Sequence, residues 1–153
     1  MEQINTGNGS FTSSKPIFDF YVAGPYQTAE QVESMERLEK VLEDRKQRMY
    51  QPRFHGDVNV DGPQAVFAKR LDALRNSAAV IANYDDKDPG TIWTIGYAYA
   101  LGKPVYVYCE GLTPDTRMSL MVAQSATRIL TGPTDLEDML DSGETEPVTV
   151  EEY

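Results

Sequence analysis

The stretch that decides the fold is 85-DDKDPGTIWTIGYAYALGKPVYVY-108. It opens on the acid-rich run Asp85-Asp86-Lys87-Asp88 and turns at Pro89-Gly90. "TIWTIGYAYALG" then reads as an amphipathic helix, closed by Gly102 just before Pro104. "PVYVYC" follows as a short apolar run rich in β-branched and aromatic residues, the pattern of a strand buried on both faces. A helix that leads directly into a buried strand is half of a βαβ unit.

Working outward, the same alternation continues. "IFDFYVAG" is a strand that ends in the turn Gly24-Pro25. In the next helix Thr28 and Gln31 form a capping box, and Val32, Met35, Leu38, Val41 and Leu42 recur at helical spacing. "RMYQPRF" reads as a second strand, "GPQAVFAKRLDALRNS" as a helix with Val66, Leu71 and Leu74 inward, and "AAVIANY" as a continuous apolar strand. Beyond residue 108, "RMSLMVAQSA" reads as a helix, "TRIL" as a strand and "DLEDML" as a last short helix. The expected fold is α/β, a doubly wound, Rossmann-like domain with a parallel sheet of about five strands. Its expected limits are residues 16–142, between a flexible N-terminal arm (1–15) and an acidic C-terminal tail (143–153).

With 153 residues, the chain suits a single domain with a real core. It has no apolar run long enough to span a membrane, and "MEQINTGNGSFTSSKP" lacks the apolar segment of a secretory signal. One cysteine, Cys109, excludes an internal disulfide framework and suits a reducing cytosol, so the expected location is cytoplasmic. A single Cys and a single His leave no Cys/His zinc site. The net charge of −10 is uneven: residues 135–153 hold eight acids and no base, so the rest is nearly neutral. Such a body offers no stripe for tracking phosphates, and no nucleic-acid partner is expected.

Ligands of doubly wound sheets bind beyond the carboxyl ends of the strands. Three candidate features fall there. The Gly24-Pro25-Tyr26 turn presents backbone N–H groups at a helix entrance. The cluster ending in Asp88 precedes the third helix, where carboxylates are favoured by the helix dipole with or without a ligand. Arg53 and His55 follow the second strand, although a lone histidine is more often simply solvated.

The segments "FYVAGPYQT", "PRFH", "DPGTIWTIGYAYALGKPV" and "MSLMVAQSA" resemble the nucleoside 2-deoxyribosyltransferase superfamily over about residues 17–131. The resemblance implies N-glycosidic chemistry: a carboxylate attacks the anomeric carbon of a 2′-deoxynucleoside, the base leaves, and another base or water replaces it. It implies no metal and no cofactor. It also implies a homo-oligomer whose sites are shared between subunits, to which Trp93, Tyr97 and Tyr99, lying on more than one helical face, would contribute packing surface.

Carried over position by position, the resemblance puts Tyr21 where the nucleophile is oriented, Asp88 where the base is read, and Met121 in the sugar pocket. Three positions depart from it. Thr94 stands where the nucleophilic glutamate belongs, Ser119 replaces the asparagine that holds the sugar, and Arg70 falls where an aspartate reads the base. An arginine among former sugar and base contacts suits a phosphate. Two readings stand. One is a holder of a nucleotide-type ligand, a phosphorylated nucleoside or an ADP-ribose-like signal, used for example in sequestration. The other is a working N-glycosidic transferase or hydrolase on 2′-deoxynucleosides or their monophosphates, with Asp86 or Asp88 as the activating carboxylate.

Overall fold

The computed structural model describes residues 15–153; the expected arm, except for Lys15, lies outside the described residues. Five strands form one parallel sheet in the order β2-β1-β3-β4-β6. They are β1 (Phe18–Ala23), β2 (Met49–Tyr50), β3 (Ser77–Asn83), β4 (Val105–Tyr108) and β6 (Arg128–Leu130). The connecting helices are α1 (Ala29–Asp44), α2 (Val58–Asp61), α3 (Pro63–Arg75), α4 (Pro89–Ala100), α5 (Leu120–Ser125) and α6 (Pro133–Ser142). The expected doubly wound α/β architecture is therefore present.

Successive residues of a strand point to opposite faces, which gives the sheet two cores. Tyr21, Val80, Ile95, Val105 and Val107 belong to the core beneath α3, α4 and α5, which also takes Leu74 and Val122. Phe20, Val22, Ile81 and Tyr108 belong to the other, closed by Met35, Leu38 and Leu42 of α1 and Leu136 of α6. The capping box at the start of α1 is formed as expected, with the Gln31 amide donating 3.1 Å to the Thr28 hydroxyl and Gln31 Oε1 accepting from the Thr28 amide.

Three segments differ from the sequence expectation. The second strand stops at Tyr50, because Pro52 starts a 3-10 turn, Pro52–Phe54, with a residue that has no N–H to give a ladder. The helix expected over "RMSLMVAQSA" is only α5. Ser119 caps it, accepting from the Met121 amide at 3.3 Å, while Arg117–Met118 form the extended strand β5 with Met118 fully buried. A short strand also forms within the acidic tail. Its end, Glu151–Glu152 (β7), pairs parallel to β5, and the Leu120 amide donates to the Tyr153 carbonyl at 2.8 Å. Among the described residues no helix is long and apolar enough to cross a membrane.

Candidate functional site

At the carboxyl edge of β1 the chain reverses through Gly24-Pro25. A Cβ at residue 24 would lie 2.5 Å from the Met35 sulfur and 2.9 Å from Asn83 Cβ, so only glycine lets the turn pass this close to α1 and β3. The turn forms one wall of a cleft of about 420 Å³, together with Tyr21, Tyr26 and Gln27. On the opposite side α3 contributes Phe67, Arg70, Leu71 and Leu74, a stripe one helical face wide. The entrance of α4 closes the third side with Asp88, Thr91, Trp93 and Thr94.

The charged side chains that line the cleft are Arg70 and Asp88. Arg70 Nη2 donates to the Tyr26 hydroxyl at 3.1 Å, spanning from α3 to the turn. Asp88 sits at the N-cap position of α4 and accepts a hydrogen bond from the Thr91 hydroxyl. Thr94 donates its own hydroxyl to the Gly90 carbonyl at 2.9 Å, a back-bond within the helix. Burial pushes the Tyr21 phenol well above its ordinary pKa, and the nearby Arg70 offsets only part of this, so Tyr21 stays a hydroxyl at neutral pH. At the mouth, the Phe67 and Trp93 rings meet edge to face at 5.8 Å, and Trp93 stacks on Tyr97 at 5.2 Å.

Of the residues picked from sequence, Tyr21, Gly24, Pro25, Tyr26, Arg70, Asp88 and Thr94 line this one cleft. Four do not. Arg53 turns away into a buried, two-pronged ion pair with Glu39 of α1, at 2.5 and 2.8 Å. His55, a candidate ligand contact, instead stacks on Tyr50 at 4.6 Å with Nδ1 2.7 Å from the Gln51 carbonyl. Ser119 caps α5, and Met121 points outward, 71% exposed. Phe67 and Leu71 were not picked as site residues. Their spacing with Arg70 and Leu74 (three, four and seven residues from Phe67) was the signal that could have marked them as one face. Among the described residues no three His, Cys, Asp or Glu side chains gather in a way that would hold a metal ion.

Comparison with known proteins bears on this cleft. A 2-deoxyribosyltransferase of the psychrotolerant bacterium Bacillus psychrosaccharolyticus, described as a biocatalyst for the synthesis of antiviral and antitumoral nucleosides, has a similar structure. The TM-score is 0.69 at 26% identity, over 86% of this chain and 97% of that one. No curated protein sequence matches. The profile of the family described as nucleoside 2-deoxyribosyltransferase matches residues 20–129. That span takes in all or part of every strand of the main sheet and every residue that lines the cleft, and the chain belongs to the nucleoside 2-deoxyribosyltransferase family.

Proposed function

We propose that the cleft holds a nucleotide-type ligand, a phosphorylated nucleoside or an ADP-ribose-like signal, without the base exchange of the family. The observation that carries this reading is the make-up of the cleft wall: a guanidinium at Arg70, one carboxylate at Asp88, and at Thr94 a hydroxyl already donated to Gly90. A threonine hydroxyl is a poor nucleophile unless a base activates it, and that of Thr94 is spent on a backbone carbonyl. A guanidinium lining a cleft that takes a sugar and a base matches a phosphate by geometry and charge. Sequestering such a ligand is a use this arrangement would serve. Assembly as a homo-oligomer with shared sites belongs to the same reading.

Asp88 supports a second reading. A carboxylate in the cleft can attack the anomeric carbon or activate water against it, which would make the protein an N-glycosidic transferase or hydrolase.

One incubation separates the two: the four 2′-deoxynucleosides and their 5′-monophosphates, with free base followed by chromatography. We expect no base release, since loss of a covalent nucleophile costs several orders of magnitude in rate. Turnover near one per second on any of them would hand the case to the second reading. In calorimetry, monophosphates should bind more tightly than nucleosides, and Arg70→Ala should remove about tenfold of that difference.

A further inference from the structure

Between β2 and α3 the chain passes through α2, and residues 57–61 are all exposed. The core packing that stabilises most protein helices is therefore missing here. Among the described residues, the hydrogen bonds of this segment close within itself and Gly62. The Asp57 carboxylate accepts from the Asn59 amide, and its carbonyl accepts from the Val60 and Asp61 amides. The Asp61 carboxylate accepts from the Asp57 amide, and the Val58 carbonyl accepts from the Gly62 amide. The main neighbour of α2 is α3.

Both flanks of the segment are fixed. On one side His55 is held by its stack on Tyr50 and by its contact with the Gln51 carbonyl. On the other, Val66 of α3 is buried. Between the fixed flanks and the exposed segment stand Gly56 and Gly62, with φ of +94° and +85°, a region that glycine enters at no steric cost. A unit that is bonded to itself, has no core and hangs between two glycines can turn about them as one piece.

That unit carries an apolar side chain with nothing to bury it. Val60 is 78% exposed, the highest value among the large apolar side chains of the described residues. Phe67, half exposed at the mouth of the cleft, lies five residues beyond Gly62, about 7.5 Å along α3 at 1.5 Å per residue. Val60 lies two residues before Gly62, within about 7 Å of it. A turn at Gly62 is enough to lay Val60 on the Phe67 ring, and the two apolar surfaces then leave water together.

We propose that residues 57–61 are a lid, which swings about Gly56 and Gly62, seats Val60 on Phe67 and covers the mouth of the cleft over a bound ligand. For the identity of the ligand this rests on the nucleotide reading given above. It adds to that reading a closing step and a residue, Val60, that does not line the open cleft.

The test has one arm with ligand and one without. Val60→Ser takes apolar surface from an exposed position, so the melting temperature of the free protein should not change. The 2′-deoxynucleoside 5′-monophosphates should nevertheless bind about tenfold more weakly, through faster dissociation at an unchanged association rate. Stopped flow can follow this by the emission of Trp93, the single tryptophan of the chain, whose ring meets that of Phe67. Val60→Leu should keep the wild-type rates. The second arm places Val60→Cys with Gln27→Cys, a position that lines the cleft, in a Cys109→Ala chain. A disulfide needs Cα atoms within about 7 Å, so oxidation should join the pair once the lid crosses the mouth, and the mass of a tryptic digest shows the link. If Val60→Ser leaves dissociation unchanged, or the cysteine pair does not close, the lid is wrong while the nucleotide reading stands. If no monophosphate binds the wild-type protein and the pair closes, the nucleotide reading falls and the lid remains, over a cleft for another ligand.

Discussion

Gly24 carries more of the site than any polar residue in it. The turn after β1 is pressed against two different elements: the Met35 sulfur belongs to α1 and Asn83 ends β3. A long, flexible methionine could withdraw from an added methyl group, but Asn83 Cβ is fixed to its strand and cannot. Gly24→Ala should therefore push the turn outward and destabilise the protein by about 1–3 kcal/mol, the usual cost of overpacking a filled space. The measurement is a denaturant melt with an unchanged m-value. The same displacement moves Tyr26, and with it the hydroxyl that meets Arg70, so weaker nucleotide binding should accompany the lost stability. A variant as stable as the wild type would show that the turn has room to spare.

The tie between α1 and the end of β4 runs through Glu110. Its carboxylate accepts from Arg37 Nε and Nη2 at 3.1 and 2.8 Å, from the Ser34 hydroxyl at 2.9 Å, and from the Tyr108 hydroxyl. Burial pushes the Glu110 pKa up, but these hydrogen bonds outweigh it and leave the pKa below the ordinary value of 4.5. A carboxyl held down in the folded state stabilises the protein above that ordinary value, and its contribution is lost as pH falls through the depressed one. The melting temperature should accordingly drop below about pH 4.5. Glu110→Gln should melt lower at neutral pH and show a shallower acid limb, with Asp19, held down by its hydrogen bond to Arg48, supplying part of what remains. Parallel acid limbs in the two proteins would exclude Glu110 as the source.

Elements of this kind also mark how far the sequence could be read. Strands β1, β3 and β4 stood out because each is an apolar run largely buried on both sides, and β2 and β6 because they alternate with patterned helices. Strands β5 and β7 did not, because they are held only by pairing with each other across more than thirty positions (Arg117 with Glu151), which no local pattern encodes. Arg53 was placed near the ligand because nothing in the sequence reveals that Glu39, on a helix of otherwise exposed acids, is buried and waiting for it. Arg70, Asp88 and Thr94 were legible because the family resemblance gives each a position, Arg70 within α3, Asp88 at the N-cap of α4 and Thr94 within α4.

For the whole molecule the open question is what covers α4 and α5. These helices pack side by side and leave Trp93, Tyr99, Leu120 and Met121 exposed, the last two at 47% and 71%. Apolar side chains of this size on neighbouring helices are unusual on the surface of a monomer and suit an interface. Ser119 and Met121, which the family resemblance sets among the sugar contacts, do not line the cleft of their own chain. A second copy laid across α4 would account for both facts, because its α5 would come to the rim formed by Trp93 and Thr94. Light scattering at micromolar concentration should then give a multiple of 17.1 kDa. Met121→Asp buries a charge in that interface and should return the protein to 17.1 kDa while weakening nucleotide binding. A wild-type particle of 17.1 kDa would remove the shared site altogether. An assembled Met121→Asp variant would move the interface to another face, and Ser119 and Met121 would then be ordinary surface residues that the family pattern had made look functional.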